Sequence, residues 1–365
     1  MFSKINLYLY KNYLIGFFIV LLIFSLLTLT GDLIENFRKG ATKDVPTSII
    51  FELSLYNFPS LIYETIPIII FFSYIFSTLK MIRASEYTIL KSSGMTNNSL
   101  LISPSILFLT ISFIFVLAIN PLVAIFHSKY DDLNYSYIKQ TDKFASISKN
   151  GVWLKQDNNE KNVSSILNSK TIEKEGKILN NFMILEYNQQ GSFTGRLNGK
   201  KAELENGHWI LYNVTEYPRY SVSKFHKELV YETSIKHQDI SNSLISPENI
   251  SIYQLSEFIT LIEKLGYSAI DHKLQYYGLL TLPLLVLSLV FLANSLTIKI
   301  NHNDKIVGLL IISICTIFIY YFLSNLFNAL SMSSQLNPLI SKISVPFLLS
   351  FLSLLIIILS RKLNG

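Results

Sequence analysis

The chain has 365 residues, of which half are hydrophobic and only 15% are charged. Soluble domains carry about 25% charged residues, so this composition excludes an ordinary soluble protein. The single cysteine, Cys315, excludes a disulfide framework and a Cys-rich metal site. The net charge of +6 would suit a nucleic-acid-binding protein, but the charges are sparse where the apolar residues are dense. We therefore predict an integral membrane protein with no nucleic-acid partner.

Six hydrophobic stretches are long enough to cross a bilayer, whose core needs about 20 mainly apolar residues per helix. They are residues 13–30, 58–79, 102–126, 274–298, 306–330 and 343–360. No A-x-A-like cleavage site follows the first stretch, so we expect a retained anchor. The predicted fold class is a membrane α-helical bundle with an inserted β domain. Its predicted domains are residues 1–126 with three spans, 127–271 as the insert, and 272–365 with three further spans.

The orientation follows from Lys and Arg in the short connections, which favour the cytoplasmic side. Nine basic residues and only two acids, Glu86 and Asp304, occupy the connections on one side. The basic residues are Lys4, Lys11, Lys80, Arg83, Lys91, Lys299, Lys305, Arg361 and Lys362. Both termini are therefore predicted to be cytoplasmic, and the insert is predicted to be external.

Short runs rich in aromatic and β-branched residues predict that the insert is built of strands. The clearest runs are Gly151–Lys155, Phe182–Tyr187 and His208–Val214. Three Asn-Gly pairs between or near such runs predict tight turns; they are Asn150-Gly151, Asn198-Gly199 and Asn206-Gly207. The spacing favours an all-β sandwich or jelly roll. Residues Ile252–Leu265 have helical spacing instead and are predicted to form a helix that leads to the fourth span.

Sequence motifs of catalysis are absent. The chain has no G-x-x-x-x-G-K-[ST], G-x-G-x-x-G, H-E-x-x-H or G-x-S-x-G motif, and its six histidines lack metal-ligand spacing. We therefore expect no catalytic residue, no metal site and no cofactor bound by this chain.

The most informative short segment is the predicted cytoplasmic loop at residues 80–99. Ser85 is placed to cap a short helix at about 83–94, with Glu86 near its positive end. Gly94 is placed to end that helix. Two interpretations remain open, which are docking into a groove of a partner protein and an interfacial helix resting on lipid headgroups. In the first, the inserted side chains would be Ile89, Leu90 and Met95.

This loop resembles the S-E-L…A-x-G-x-[ST] segment of the LptF/LptG (YjgP/YjgQ) permeases of lipopolysaccharide export. The similarity lies in Arg83–Tyr87 and Ser93–Thr96. A G-x-W-L element at Gly151–Leu154 and a later G-x-W element at Gly207–Trp209 are also similar to that family. The resemblance covers essentially the whole chain and is slightly closer to LptG than to LptF.

The resemblance implies an ABC transporter permease in the bacterial inner membrane that contributes to outer membrane biogenesis. It implies that ATP is used by a separate cytoplasmic ATPase dimer, LptB, and that this chain has no ATPase site. The other implied partners are a homologous permease, which completes the LptF/LptG pair, and LptC, LptA and lipopolysaccharide. The loop helix would be the coupling helix that docks on the ATPase, and the insert would be a periplasmic jelly roll. The implied coupling residues are Arg83, Ser85, Glu86, Tyr87, Leu90 and Gly94.

Cargo contacts are predicted at two places. Arg38 and Lys39 follow the first span, where guanidinium and ammonium groups can pair with lipid A phosphates; a solvated loop is the alternative. Phe322 and Phe327 belong to an aromatic-rich fifth span whose inner face would contact acyl chains, with ordinary packing as the alternative. For Glu64 in the second span we favour an interfacial acid over a residue that lines a cavity.

Two other function classes compete with transport. One is a receptor that senses an envelope ligand, but the cytoplasmic loops are too short for an output domain. The other is a membrane-bound lipid-modifying enzyme, which the missing catalytic motifs oppose.

Overall fold

A computed structural model gives the fold of most of the chain. It describes residues 2–139, 145–148, 151–158, 163–173, 177–188, 190–205, 207–219, 222–233, 245–264, 268–297 and 306–363. The chain divides into two compact units. The first, called the helical unit below, contains residues 1–138, 248–252 and 273–365, and the second, called the β unit, contains residues 139–247 and 253–272.

Nine α-helices occur in these described ranges. They are α1 (Phe2–Ala41), α2 (Thr47–Arg83), α3 (Glu86–Ser92), α4 (Asn97–Ile114), α5 (Asn120–Leu133), α6 (Ile252–Lys264), α7 (Ile270–Thr297), α8 (Ile306–Met332) and α9 (Pro338–Leu363). A π-helical turn, Phe115–Ile119, joins α4 to α5, and a second one, Asn134–Lys139, follows α5. The predicted helix at Ile252–Leu265 is confirmed as α6, although Leu265 lies outside the described residues.

Six helical segments in the described part of the chain are long and apolar enough to cross a membrane, which confirms the predicted number of spans. They are Lys4–Ala41, Thr47–Arg83, Asn97–Lys139, Ile270–Thr297, Ile306–Met332 and Pro338–Leu359. The first three are much longer than their hydrophobic stretches. At a rise of 1.5 Å per residue, the 40 residues of α1 extend about 60 Å, about twice the thickness of the bilayer core. The predicted basic loop with Lys299 and Lys305 lies outside the described residues.

Helices α2 and α7 form the centre of the helical unit. In their most hydrophobic stretches 67% and 61% of residues are buried, against 17% in α1 and 22% each in α8 and α9. A hydrogen bond from the Tyr74 hydroxyl to Asn294 Oδ1, 2.8 Å long, joins the two central helices. The outer helices α1, α8 and α9 therefore present apolar side chains to lipid or to other subunits.

The contact between α1 and α2 depends on a glycine. A Cβ atom on Gly16 would lie only 2.0 Å from Ser77 Oγ, so the two backbones approach more closely than a side chain would permit. Next to this point the hydroxyl groups of Tyr13 and Thr78 are hydrogen-bonded at 3.0 Å. Small residues and interhelical hydrogen bonds are the usual means by which helices associate in a bilayer.

Seven strands of the β unit form one antiparallel sheet in the described residues. They are β1 (Ala145–Ser148), β2 (Gly151–Asn158), β3 (Val163–Glu173), β4 (Ile178–Asn188), β5 (Phe193–Glu205), β6 (His208–Pro218) and β7 (Lys224–Glu232). The predicted strand runs and the predicted β insert are confirmed. Each strand pairs with the next one along the chain, from β1 to β7. These strands thus form a meander, without the Greek-key connections of a jelly roll among the described residues.

One face of this sheet is packed with large apolar side chains. Trp209 and Leu211 on β6 are fully buried, and they alternate with more exposed residues as a half-buried strand requires. The inward positions then change to Val214, after Asn213 adopts a left-handed φ of 52°. Asparagine tolerates this conformation better than most residues, so the strand can change which side chains it buries.

Only one of the three predicted Asn-Gly turns is observed as predicted within the described residues. Gly207 has a φ of 82° between β5 and β6, which confirms the turn at Asn206-Gly207, although Asn206 itself lies outside the described residues. The turn at Asn150-Gly151 stays a prediction, because Asn150 also lies outside them. The predicted turn at Asn198-Gly199 is wrong, because both residues lie inside β5. Gly199 is needed there for another reason, since a Cβ atom would lie 2.4 Å from Cζ of Phe182 on β4.

Candidate functional site

The predicted loop helix exists as α3, a seven-residue helix directly after α2. The backbone reverses at Ser85, which has a left-handed φ of 58°. Ser85 occupies the N-cap position, but its hydroxyl makes no capping hydrogen bond, so the predicted side-chain cap is wrong. The physical reason is the conformation, because capping side chains normally extend from a residue in the β region. Its carbonyl oxygen still accepts the first helical bond, from Ile89 N at 3.1 Å.

The end of α3 has the geometry that the sequence predicts. Gly94 has a φ of 91°, its N–H donates to the Lys91 carbonyl at 3.0 Å, and Met95 N–H donates to the Leu90 carbonyl at 3.3 Å. This pair of bonds is a Schellman motif, which needs a residue in the left-handed region. Thr96 then caps α4, because its Oγ1 accepts from Ser99 N at 3.2 Å. Short ordered turns therefore connect α3 to the helices on both sides.

The apolar residues of α3 and its C-terminal turn differ in exposure. Ile89 is 63% exposed and Leu90 is half-buried, whereas Met95 is only 7% exposed. Met95 therefore packs within the chain, and the expectation that it inserts into a partner is wrong. Ile89 is the apolar residue of this segment that is available to another protein or to lipid. Arg83, at the end of α2, is also exposed.

Two polar residues of α3 already have partners within the chain. The Tyr8 hydroxyl of α1 donates a hydrogen bond to Glu86 Oε2. Lys91 Nζ lies 4.9 Å from the ring centroid of Tyr87, one helical turn away, in a cation–π contact. Burial raises the pKa of the half-buried Tyr87 hydroxyl, which therefore stays protonated at neutral pH. Of these contacts, the hydrogen bond from Tyr8 to Glu86 joins α3 to α1.

The predicted cargo residues on α1 are both engaged with one acid. Arg38 donates two hydrogen bonds to Glu35, at 2.9 Å from Nε and 2.7 Å from Nη2, and Lys39 Nζ lies 3.3 Å from Glu35 Oε1. The side chains of Arg38 and Lys39 remain 74% and 43% exposed. An exposed ion pair contributes about 0–1 kcal/mol, so a phosphate could replace Glu35 at little cost.

The two aromatic residues predicted on the fifth span do not share a face of α8. Phe322 is 60% exposed, and Phe327 is half-buried. Five residues separate them, which corresponds to about 140° around a helix of 3.6 residues per turn. Phe318, one turn before Phe322, is 73% exposed and lies on the same face. Phe318 and Phe322 are thus the most exposed aromatic residues of α8, and Tyr321 beside them is 37% exposed.

A cavity of about 190 Å³ opens among α2, α5, α7, α8 and α9. Glu64 is exposed and lies on the wall of this cavity. This differs from the sequence-based expectation, which favoured an interfacial acid over a residue that lines a cavity. Lys342 of α9 lines the same cavity and is half-buried. All of the residues that line it belong to the helical unit.

Hydrogen bonds also hold residues 248–252 of the helical unit to α5. Asn249 Oδ1 lies 2.7 Å from His127 Nδ1, and Asn249 Nδ2 donates to Asp131 Oδ2 at 2.6 Å. Ile252 N donates to Asn120 Oδ1 at 2.8 Å. We call these five residues the α5 clasp. It fixes the segment at which the chain re-enters the helical unit.

A comparison with protein families identifies the chain. The family model described as lipopolysaccharide export system permease LptF/LptG matches residues 7–361. The chain belongs to this family. A comparison with curated proteins finds no match. The family is one of transport permeases rather than enzymes. Together with the six apolar helices, membership identifies a multi-pass inner-membrane protein. It also implies a lipopolysaccharide export system that has partner subunits. The family model covers both LptF and LptG.

The sequence did not predict three contacts that shape the candidate site of this permease. Tyr8 donates a hydrogen bond to Glu86, Glu35 pairs with Arg38 and Lys39, and Thr96 caps α4, the helix after α3. The capping role of Thr96 had a local signal, because Thr is a favoured N-cap residue. Glu35 had a local signal as well, since it lies three residues before Arg38 and four before Lys39, on the same helix face. Tyr8 had none, as it lies 78 residues from Glu86.

Proposed function

We propose that the permease is the transmembrane subunit of an ABC exporter that takes lipopolysaccharide from the inner membrane and passes it to a periplasmic bridge. In this proposal a separate cytoplasmic ATPase dimer, LptB, hydrolyses the ATP, and a homologous permease completes the transmembrane pair. LptC and LptA receive the lipid on the periplasmic side. Membership of the lipopolysaccharide export permease family supports this assignment.

The geometry of α3 is the observation that carries the coupling mechanism. The helix is exposed, with no buried residue, and it lies between two ordered turns at Ser85 and Gly94. A push on α3 would therefore reach α2 and α4 without being absorbed by a flexible linker. Because α2 is the most buried long helix of the described part, its displacement would rearrange the helical unit. In the proposed cycle the ATPase supplies this push when it closes on ATP.

The proposed orientation places α3 and both termini in the cytoplasm. It rests on the nine basic residues in the connections on that side. The β unit is then periplasmic, where its sheet would receive lipid and pair edge to edge with the next component. Strand β7 suits such pairing because it is hydrogen-bonded to β6 alone among the described strands.

The proposed cargo contacts use both ends of the amphiphile. Arg38 and Lys39 would exchange Glu35 for the phosphates of lipid A. The acyl chains would lie along the apolar faces that α1 and α8 leave uncovered, where Phe318 and Phe322 are exposed. These faces would complete a cavity only with the partner permease, which is consistent with a paired transporter.

A test of the coupling proposal compares two acid-to-alanine variants in the full transporter complex. Glu86→Ala should lower both ATPase co-purification and lipopolysaccharide release to a periplasmic acceptor, while membrane insertion stays normal. Glu52→Ala is the matched control, because Glu52 is an exposed acid at the other end of α2. Normal ATPase binding and normal release in the Glu86→Ala variant would contradict the assignment of α3 as the coupling helix.

The orientation has its own experiment. A Ser92→Cys variant is made in a Cys315→Ser background, so that the introduced thiol is the only one in the chain. A membrane-impermeant maleimide should label it in inverted membrane vesicles and not in intact spheroplasts. Labelling from the periplasmic side would overturn the proposed topology and the coupling mechanism together.

A further inference from the structure

The cavity of the helical unit contains an acid and a base that do not pair with each other. Glu64 of α2 and Lys342 of α9 both line it, and neither has an ion-pair partner among the residues that the structure describes. Ionisable residues within membrane-spanning helices are costly, and they are retained mainly where they bind a partner or a substrate. Two unpaired charges of opposite sign in one cavity therefore indicate a ligand.

Three further polar atoms in the cavity wall also lack partners. The Tyr63 hydroxyl, Asn328 Oδ1 and Ser341 Oγ are buried without a hydrogen bond within the described part of the chain, and all three residues line the cavity. Ser341 is 1% exposed and Tyr63 is 9% exposed. Buried polar atoms are nearly always hydrogen-bonded in folded proteins. A polar group that enters this cavity would satisfy them.

The charges lie at separate places in the cavity. Glu248, a second acid in the cavity wall, and His127 are charged groups close enough to Glu64 to act on it electrostatically. Lys342 instead lies beside Gly278, where a Cβ atom would be 3.7 Å from its Nζ. The cavity thus has an acidic part formed by Glu64 and Glu248 and a basic part formed by Lys342.

We propose that this cavity binds the phosphoethanolamine headgroup of a bilayer phospholipid. The primary ammonium group would pair with Glu64 and Glu248, and the phosphate would pair with Lys342 and the unbonded hydroxyl of Ser341. This ligand brings a counter-charge to each part of the cavity at once. A headgroup with only a negative charge would leave the two acids uncompensated.

Water is the simplest alternative occupant. At about 30 Å³ per molecule the cavity holds about six waters. They would satisfy the hydrogen-bonding groups but would leave the charges of Glu64 and Lys342 without counter-charges. The lipid headgroup also explains why the acid and the base belong to different helices, since it would link α2, which precedes the coupling segment, to α9. The site is separate from Arg38 and Lys39 and does not depend on the proposed cargo path.

The test measures which phospholipid remains bound to the full transporter complex. The complex is placed in nanodiscs with equal amounts of phosphatidylethanolamine, phosphatidylcholine and phosphatidylglycerol, extracted into detergent, and analysed by native mass spectrometry. We expect phosphatidylethanolamine to be enriched at least threefold over each of the others. The Lys342→Met and Glu64→Gln variants should each abolish the enrichment. The matched controls Lys80→Met and Glu52→Gln, exposed positions on α2 that do not line the cavity, should retain it.

A second pair of variants tests the site without changing a charge. Gly278→Val would extend a side chain into the cavity beside Lys342, whereas Gly308→Val on α8 has open space around it. We expect Gly278→Val to reduce retained phosphatidylethanolamine at least threefold and Gly308→Val to leave it unchanged. ATPase co-purification is measured in the same samples, so that a loss of coupling is distinguished from a loss of lipid.

Four results would overturn the proposal. Equal retention of phosphatidylcholine would show that the acids do not recognise a primary ammonium group. A preference for phosphatidylglycerol would show a site for anions alone. Enrichment that survives the Lys342→Met, Glu64→Gln and Gly278→Val changes would show that the lipid binds elsewhere on the protein, and no retained lipid would assign the cavity to water.

Discussion

The Tyr8 hydroxyl donates a hydrogen bond to Glu86 Oε2 and thereby joins the first residues of α1 to the short helix α3. The resemblance to the LptF/LptG permeases places Glu86 among the residues that dock on the ATPase. In the structure, one of its carboxylate oxygens is used within the chain instead. Glu86 can therefore act by holding α3 in position as well as by touching a partner, and these two roles can be separated experimentally.

Tyr8→Phe removes the hydrogen bond and leaves the Glu86 charge in place. A hydrogen bond to a charged group contributes about 1.5–3 kcal/mol, and a neutral one about 0.5–1.5 kcal/mol. Both side chains are partly exposed to water. We therefore expect the free energy of association with the ATPase to weaken by about 1 kcal/mol, which corresponds to about fivefold in affinity. Titration of the purified permease pair with the ATPase measures this change in affinity.

Tyr10→Phe is the control for this variant, because Tyr10 lies on the same helix and has no hydrogen bond to α3 among the described residues. If Tyr8→Phe binds the ATPase like the wild type while Glu86→Ala does not, Glu86 acts on the partner directly and not through α1.

Glu35→Gln should strengthen cargo binding. The substitution removes the charge that holds Arg38 and Lys39 at 2.7 Å and 3.3 Å, so that a phosphate no longer competes with a carboxylate. The expected gain is limited to the value of exposed ion pairs, about 0–1 kcal/mol, or up to about fivefold in affinity. Photocrosslinking of lipopolysaccharide from a probe placed near residue 38 measures the change.

Arg38→Glu with Lys39→Glu is the opposite variant, and it should reduce crosslinking below that of the wild type. If Glu35→Gln and this double variant both crosslink lipid as the wild type does, the basic pair is a solvated part of α1 and not a cargo site. A salt titration provides a further check, because the difference between the variants should shrink as ionic strength rises.

The parts of the fold that local sequence determines could be predicted. Each span is a continuous run of apolar residues, so their number was confirmed by the described helices. The end of α3 was also predicted from local sequence, because Gly94 adopts a left-handed φ that glycine permits without steric cost. The strands of the insert were predicted from short runs rich in aromatic and β-branched residues.

The errors arose where a distant contact overrides a local preference. Asn198-Gly199 has the sequence of a tight turn, but Gly199 leaves space for the Phe182 ring of the neighbouring strand and lies within β5. The bond from Tyr8 to Glu86 spans 78 residues, and five helices form the cavity around Glu64. Neither arrangement leaves a pattern in any one segment of the sequence.

Gly16→Val should destabilise the helical unit. A Cβ atom at Gly16 would lie 2.0 Å from Ser77 Oγ, and Ser77 is fully buried, so α1 must move away from α2. Overpacking of this kind costs about 1–3 kcal/mol. Gly31→Val on the same helix is a matched control, because a Cβ there meets nothing within 4 Å. Thermal unfolding in detergent should show a lower midpoint for Gly16→Val only, and equal midpoints would mean that this approach of α1 to α2 does not support the fold.

Asn249→Ala tests the α5 clasp, which holds the segment at residues 248–252. The Asn249 side chain bonds both His127 and Asp131, and Asp131 is only 8% exposed. Removing a partner from a buried polar group costs about 1–3 kcal/mol, so hydrogen exchange at residues 248–252 should become at least fivefold faster. His226→Ala removes a surface contact to Glu216 and should leave exchange at 248–252 unchanged. Unaltered exchange in Asn249→Ala would mean that the bond from Ile252 N to Asn120 Oδ1 holds the segment by itself.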